Sequence, residues 1–517
     1  MPNVPVRSPV DPRGCDSRET SALGLRGGEA VRAVAFFGLL FAYLWLWVQP
    51  ALIYSCGTIT NFPIFHKGWS FFVESMRLPG GLVQYVSAFA SQLFYHSWAG
   101  AAVIAAQAWA ICACTGYLLR AVKLPGARLL AYVPAILILV AYAQYSYHLP
   151  LFMAALASLA FACLYVKLTS HPVGDVASVS AIWGHACPRD LGVFLVFSAI
   201  VYVVGAAAFL VFSLLCACYE LCCRHGGGWR LVVSLSGGIL LSVAFWAIGS
   251  PKGVAFVIVS MFLALLRYWY GVGLLYLLWA VIFPFLTGVL VFRISLVNAY
   301  TDLLPVSWRV LGWSVREQML GTVYGVYLVP ILGMTAGGLW SVLCDRRQKA
   351  AAKQPRKGPK PREGLLARFV ASPAVRWSFG TLVLLVVGGV AAVSALDAEK
   401  KAQLAVHNYA CRRMWPEVLA ASRQCPNNLS TMNAVNRALY HSGRLGADMF
   451  RYVQQPDGLL ITGDDHAVMY WHVFDTLIDL GLANRAENNL TECLEVFGQH
   501  PWILERLATV NEIKGRT

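Results

Sequence analysis

The stretch that decides the fold is DRRQKAAAKQPRKGPKPREGLLARFVASPAVR over Asp345–Arg376, followed by WSFGTLVLLVVGGVAAVSAL over Trp377–Leu396. The first part holds ten Lys and Arg residues against two acidic ones, and the second part holds no charge. A helix of about 20 apolar residues crosses a hydrocarbon core of about 30 Å. Because loops rich in Lys and Arg are retained in the cytoplasm, we expect a cytoplasmic basic tract, and we expect the residues after Leu396 to lie outside the cytoplasm.

The composition of the whole chain agrees with a polytopic membrane protein. Of its 517 residues, 58% are hydrophobic and 13% are charged, and the mean hydropathy is +0.59. A soluble protein has about 25% charged residues. The chain has a net charge of +15, and residues 397–517 hold 12 basic and 14 acidic residues, so the rest of the chain carries +17. We therefore expect contact with the anionic headgroups of membrane lipids. No nucleic-acid partner is expected, since the basic tract has no interleaved aromatic residues.

Apolar runs predict about 9–10 membrane spans. They are about Val34–Ser55, Ala99–Leu119, Leu129–Tyr147, Leu151–Leu168, Leu191–Cys223, Leu231–Ile248, Val254–Leu266, Val272–Phe292, Leu320–Leu343 and Trp377–Leu396. With the N-terminus and the basic tract both cytoplasmic, an even number of spans must lie between them. If Leu191–Cys223 crosses once, nine spans lie between the N-terminus and the basic tract, which is an odd number.

Three interpretations restore an even number of spans. The run Leu191–Cys223 crosses twice, with a break at Gly205, or Leu78–Trp98 crosses, or a short run such as Val254–Leu266 does not cross. The apolar residues of Leu78–Trp98 fall at helical spacing and are interrupted by polar ones. We therefore interpret Leu78–Trp98 first as an amphipathic helix that lies at the interface or re-enters the membrane.

The C-terminal part, residues 397–517, shows helical periodicity and scarce β-like alternation. Gly443, Gly481 and Gly515 lie at intervals near 34 residues, which is the tetratricopeptide period. An irregular helical bundle is the alternative. The predicted fold class is all-α: a polytopic transmembrane helical bundle, then a soluble tetratricopeptide-like helical-repeat domain. The predicted domains are a disordered cytoplasmic tail (1–33), a polytopic membrane domain (34–343), a basic cytoplasmic linker (344–376), a last transmembrane helix (377–396) and an extracytoplasmic helical domain (397–517).

The sequence lacks the common catalytic and cofactor-binding motifs. It contains no phosphate-binding loop, dinucleotide fingerprint, zinc-protease motif or nucleophile elbow, so we expect no cofactor and no metal. The cysteines around Cys216 are expected to pack as small apolar residues. A Cys411–Cys425 disulfide stays open, since an oxidising compartment would permit it.

The most interesting acidic residue is Glu74, in the first predicted outer loop. Integral-membrane glycosyltransferases that use polyprenyl-phosphate-linked sugars place a carboxylate in such a loop before an interfacial helix, and this arrangement is similar. By that similarity Glu74 would be the general base, and His66, Lys67 and Arg77 would bind the lipid phosphate. The alternative is an exposed ion pair between Glu74 and Arg77. A second acidic residue, which such enzymes need, is missing from this loop.

Three further ionisable residues lie at or near the ends of apolar runs, namely Glu220, Arg267 and Arg293. Ionisable groups inside a membrane are candidates for function. At helix ends, however, such side chains more often extend to the headgroups, and we expect this of all three.

The whole chain resembles a family of uncharacterised bacterial inner-membrane proteins with a tetratricopeptide-like C-terminal part. The stretches that carry the resemblance are Arg77–Leu82 through Phe94-Tyr95, Tyr202–Ala206 through Glu220-Leu221, Val435–Leu439 with Gly443–Gly446 and Phe450, and Leu504–Gly515. The resemblance implies a bacterial inner-membrane location and brings no assigned activity.

Two functional hypotheses follow from these observations. In the first, the chain is a membrane-anchored scaffold whose extracytoplasmic repeats bind a peptide or protein. In the second, it is an envelope glycosyltransferase that uses a lipid-linked sugar, with Glu74 as the general base. Whether the protein is an enzyme stays open at this point.

Overall fold

The computed structural model describes residues 13–54, 64–124, 126–170, 188–220, 272–304, 317–353, 373–458 and 471–516, which form helices and turns without a β-strand. The helices up to the end of the last predicted span are α1 Arg13–Tyr43, α2 Pro50–Tyr54, α3 Trp69–Ser75, α4 Gly81–Ser91, α5 Ser97–Ala121, α6 Ala127–Leu130, α7 Val133–Ala143, α8 Leu149–Thr169, α9 Pro188–Gly205, α10 Phe209–Tyr219, α11 Val272–Pro284, α12 Leu296–Thr301, α13 Glu317–Lys353 and α14 Pro373–Ala395. The C-terminal helices are α15 Ala398–Cys411, α16 Trp415–Ala421, α17 Leu429–His441, α18 Leu445–Asp448, α19 Trp471–Asp479, α20 Ala483–Phe497 and α21 Pro501–Ile513.

Six stretches in the described part of the chain are long and apolar enough to cross a membrane, so this is a membrane protein with an all-α helical bundle, as the sequence predicts. They are Gly28–Val48, Ser97–Ala121, Leu149–Thr169, Arg189–Tyr219, Thr322–Trp340 and Trp377–Ala395. Two shorter apolar helical stretches, Ala127–Ala143 and Leu275–Val291, join them. The predicted spans Leu231–Ile248 and Val254–Leu266 lie outside the described residues.

The bundle has two distinguishable ends. At one end the guanidinium of Arg128 lies 3.3 Å from the Glu29 carboxylate, and Arg120 occupies the last turn of α5. At the other end α2 meets the start of α5, where a Cβ on Gly100 would lie 2.7 Å from the Pro50 Cβ. We call these the cationic end and the far end. Helix α14 runs from the cationic end to the far end, because Trp377 lies beside Gly28 and Ala392 accepts a hydrogen bond from Tyr43.

The apolar run around Gly205 reverses direction instead of crossing once. Helix α9 ends at Gly205, and Ala206 follows it with a φ of 47°. The rings of Phe194 and Phe212 stack with centroids 5.8 Å apart, whereas a straight helix would separate them by about 27 Å. Helices α9 and α10 therefore form an antiparallel hairpin with its tip at Ala206–Ala208. The break at Gly205 that the first of the three interpretations requires is therefore present, whereas the predicted span Val254–Leu266 of the third lies outside the described residues.

Helix α4 lies at the far end and does not cross the bundle. Its 11 residues extend over about 17 Å. At its start the Gly80 N–H donates to the Val203 carbonyl of the hairpin at 2.9 Å. Just beyond its end, Phe94 contacts Gly100 at the start of α5. This placement fits the predicted interfacial helix in Leu78–Trp98.

The N-terminal helix begins earlier than the sequence analysis expects. Helix α1 starts at Arg13, so residues 13–33 of the predicted disordered tail are helical. About half of this stretch consists of Ala, Leu, Glu and Arg, which favour a helix, and four glycines, which do not, are spread among them.

The C-terminal helices rest on the far end of the bundle. The Asp397 N–H donates to the Ala143 carbonyl at 3.2 Å, and the Lys400 ammonium donates to the Gln144 carbonyl at 3.2 Å. Asp397 also begins α15 as its N-cap, since its carboxylate accepts the Lys400 N–H at 2.9 Å. These contacts fix where the C-terminal helices begin relative to the bundle.

The turn before α4 generates a prediction about stability. A Cβ on Gly81 would overlap the carbonyl oxygen of Ser75, whereas a Cβ on Gly192 in α9 would meet no atom within 4 Å. We expect Gly81→Ala to destabilise the protein by about 1–3 kcal/mol through overpacking, and Gly192→Ala to be neutral or slightly stabilising. Thermal unfolding of the purified full chain in detergent measures both. Equal melting temperatures for the two variants would contradict the close approach.

Candidate functional sites

The structure places the four residues predicted for the Glu74 site on the surface near the far end. His66, Lys67, Glu74 and Arg77 are all exposed. Neither Glu74 nor Arg77 has an ion-pair partner among the described residues, so the alternative of a Glu74–Arg77 ion pair is not formed. Their roles as general base and as lipid-phosphate ligands stay predictions.

An aromatic cluster holds this loop against α4. The ring of Phe65 lies 5.2 Å from Tyr85 and 5.3 Å from Phe89 on α4, and Phe72 lies 5.1 Å from Tyr85. His66 touches the same cluster, with its ring 5.5 Å from Phe71. Because the apolar rings face α4, the charged side chains of the loop are left pointing to solvent or headgroups.

Asp302 is an acidic residue that lies at the far end, next to the turn before α4. The side chain of Leu303 packs against Gly80, where a Cβ would lie 2.6 Å from the Leu303 Cδ1. The Asp302 carbonyl accepts the Ala207 N–H of the hairpin tip at 3.1 Å. Burial raises the pKa of the Asp302 carboxyl to about 6. More than 200 residues separate Asp302 from this turn, so the sequence alone does not predict their approach.

Glu220 is buried inside the bundle, contrary to the expectation that its side chain extends to the headgroups. Its residue is 3% exposed, and its carboxylate accepts a hydrogen bond from Tyr165 at 2.8 Å. The hydroxyl of Tyr276 lies 2.9 Å from that of Tyr165. The reversal at Gly205 turns α10 back alongside α8, which brings Glu220 to Tyr165. Arg293 is exposed, and Arg267 lies outside the described residues.

The C-terminal helices repeat one turn. Four helices (α15, α17, α19 and α21) are each followed by a residue with positive φ, namely Arg413, Gly443, Gly481 and Gly515. In each turn the next N–H bonds back to a carbonyl five residues earlier, as in a Schellman motif: Met414 to Tyr409, Arg444 to Leu439, Leu482 to Leu477 and Arg516 to Asn511. The sequence analysis missed the first of these turns, because arginine occupies the position that glycine holds in the others.

Ion pairs join three of these helices in a row. The Arg437 guanidinium on α17 lies 2.8 Å from Asp479 and 3.4 Å from Asp475, both on α19. Arg506 on α21 lies 3.1 Å from Asp475, and its guanidinium is 3.7 Å from the centre of the Trp502 ring. These largely buried pairs fix the order and register of α17, α19 and α21.

A groove of about 340 Å³ lies on another part of α17, next to α18. We call it the arginine groove; its charged lining residues are Arg423, Arg444, Asp448 and Arg451. Asp448 pairs with Arg444 at 2.6 Å and with Arg451 at 3.1 Å. Met432 and Val435 supply apolar lining. With three guanidiniums against one carboxylate, this groove suits an anionic group next to an apolar one.

The structure shows the surroundings of the cysteines that the sequence analysis considered. Across the described residues, no three His, Cys, Asp or Glu side chains are grouped to hold a metal ion. Cys411 and Cys425 are free thiols. Burial raises the pKa of Cys411 to about 11, which keeps its thiol protonated and unreactive at neutral pH. Cys216 and Cys218 are buried among the apolar side chains of the bundle.

Comparisons with known proteins give a family and no activity. The chain matches a model described as a family of unknown function over residues 28–517. No curated protein matches, and no solved structure matches.

His407 in α15 generates a prediction about pH. Its buried ring lies 3.1 Å from the Ser430 hydroxyl, and burial lowers the pKa of His407 to about 4. Between about pH 6.5 and 4 the unfolded chain binds a proton at this ring that the folded chain does not. We therefore expect stability to be complete at neutral pH and to fall by about 3 kcal/mol through this window.

Hydrogen exchange of the amides of α15 in the full chain, followed from pH 7 to pH 4 and corrected for the intrinsic exchange rate, measures this loss locally. The variant His407→Gln should show a flatter pH dependence of protection. An unchanged slope in that variant would exclude His407 as the source.

Proposed function

Since the chain belongs to a family of unknown function, DUF6057, we propose its function from its geometry: it is a membrane-anchored scaffold whose C-terminal helices bind a peptide or protein segment. The turn repeated after α15, α17, α19 and α21 supports the likeness to tetratricopeptide-type helix pairs. Stacked helix pairs bind extended partners along one face. The contacts of Asp397 and Lys400 with the bundle would hold such a partner close to the membrane.

The arginine groove is the observation that carries this proposal. Its excess of guanidinium groups favours an acidic segment, because a positively charged surface attracts a negatively charged partner and repels a positively charged one. Beside the groove, Phe450 is 87% exposed, and an exposed aromatic ring is a typical anchor of a peptide interface. We infer that the partner carries an acidic residue next to an apolar one.

The membrane placement is part of the same proposal. We place the protein in the bacterial inner membrane, with the N-terminus and the basic stretch in the cytoplasm and residues 397–517 outside it. Supporting this, Arg32, Arg120 and Arg128 cluster at the cationic end, and α13 runs toward that end, since Gly337 lies beside Val122 after α5. Cationic groups favour the cytoplasmic side. The scaffold surface and the Glu74 loop would then share the outer face.

A glycosyltransferase that uses a polyprenyl-phosphate-linked sugar is the second candidate function. The observation that favours it is Asp302, which supplies an acidic residue near the turn that follows Glu74. Its raised pKa suits a group that exchanges protons near neutral pH. In this reading Glu74 is the general base, and His66, Lys67 and Arg77 bind the lipid phosphate.

A peptide array tests the scaffold. We expect the purified full chain to bind acidic peptides in preference to matched basic ones. The double variant Arg444→Glu/Arg451→Glu should bind acidic peptides at least about tenfold more weakly, because it replaces two charge-assisted hydrogen bonds with repulsion.

Two control variants separate the hypotheses. Arg485→Glu changes an exposed charge on α20 outside the arginine groove and should bind as the wild type does. Glu74→Gln should also leave peptide binding unchanged. Equal binding of acidic and basic peptides, or equal losses in Arg485→Glu and the double variant, would contradict the scaffold. If Glu74→Gln fails to complement cells that lack the protein while the groove variant complements them, the glycosyltransferase is favoured.

A further inference from the structure

A cavity of about 560 Å³ opens at the cationic end of the bundle, between α1, α5 and the α6–α7 segment. Its lining residues on α5 include Trp109, Ala113, Gly116 and Arg120, which recur on one face of the helix. From Trp109 to Arg120 this face extends about 17 Å along the helix axis, close to half of a hydrocarbon core of about 30 Å. The cavity therefore has the length of one lipid leaflet.

The wall of the cavity changes from apolar to cationic along that length. Phe37 on α1 and Trp109 on α5 line the deep part, and Trp109 is 56% exposed. Arg120 and Arg128 line the part at the cationic end. Such a gradient matches an amphiphile with an apolar chain and an anionic head.

The guanidinium of Arg120 is held in place for such a head. Its Nε donates to the Gly116 carbonyl at 2.8 Å. Since the described residues offer its two terminal nitrogens no hydrogen-bond partner, both can donate to a ligand. Gly116 permits the α5 wall to approach α6–α7, since a Cβ there would lie 3.2 Å from the Ala131 Cβ. The side chain of Arg128, 60% exposed, can turn toward the same point.

A third arginine behind the cavity is buried. Arg32 is 4% exposed, pairs with the lining Glu29 and lies 5.8 Å from the centre of the Tyr132 ring. Among the described residues, its Nε has no hydrogen-bond partner. In the described part of the cavity wall and behind it, three arginines face one acidic residue, Glu29, so this part of the site is cationic. A buried donor without a partner costs free energy that an anion nearby offsets.

We propose that this cavity binds one phospholipid with an anionic headgroup, with its phosphate at Arg120 and Arg128 and one acyl chain along Phe37 and Trp109. Arginine forks match phosphate oxygens in geometry and charge. Basic pockets between membrane helices bind anionic headgroups in the same way. The site is independent of the proposed scaffold, because it lies at the opposite end of the bundle.

Native mass spectrometry of the full chain from neutral detergent tests the site. The probes are phosphatidylglycerol and phosphatidylcholine with identical acyl chains. We expect one retained phosphatidylglycerol per protein and little phosphatidylcholine. The double variant Arg120→Gln/Arg128→Gln should retain phosphatidylglycerol at least about tenfold more weakly. The variant Ala113→Trp, which fills the apolar part without a change of charge, should lose it too.

The control variant is Lys167→Gln, which removes an exposed cation from the last turn of α8 outside the cavity. It should retain the lipid as the wild type does. A loss in Lys167→Gln equal to that of the arginine variant would overturn the proposal in favour of general surface attraction. Equal retention of both lipids would also overturn it. Displacement of the lipid by glycerol phosphate, which lacks acyl chains, would assign the cavity to a soluble phosphate compound instead. If the arginine variant does not fold, Ala113→Trp decides alone.

Discussion

The reversal of the chain at Ala206–Ala208 depends on backbone hydrogen bonds that other segments supply. The tip residues Ala206, Ala207 and Ala208 are buried, and a buried helix end needs partners for its free carbonyl and N–H groups. The Gly80 N–H reaches the Val203 carbonyl at 2.9 Å, and the Asp302 carbonyl reaches the Ala207 N–H at 3.1 Å. The Ser158 hydroxyl bonds to the Ala208 carbonyl at 2.8 Å. Three distant segments therefore converge on one tip.

The two ends of the bundle carry different functional groups. At the far end, the turn at Gly80 holds the Glu74 loop, the same tip brings Asp302 beside it, and the C-terminal helices begin at Asp397. Inside the bundle, the returning α10 buries Glu220. At the cationic end, the arginines around Glu29 line a cavity. The proposed partner-binding surface and the proposed lipid site therefore lie at opposite ends of the bundle and do not compete for space.

Particular residues show what the sequence could and could not predict. Gly205 marked a break, because glycine in a long apolar run interrupts a helix, and the structure ends α9 there. Gly443, Gly481 and Gly515 marked repeated turns, but Arg413 adopts the same left-handed conformation without that signal. The approach of Asp302 to the Gly80 turn is a tertiary contact between two segments more than 200 residues apart along the chain. Neither composition nor spacing encodes such a contact.

The hairpin is the central claim, and a distance measurement between spin labels at Arg189 and Tyr219 tests it most directly. Arg189 lies near the start of α9, and Tyr219 ends α10. Antiparallel helices packed about 10 Å apart should keep the two labels within about 25 Å of each other. A single helix across Arg189–Tyr219 would separate them by about 45 Å. The short distance in the full chain, reconstituted in lipid, supports the reversal, and the long distance would contradict it.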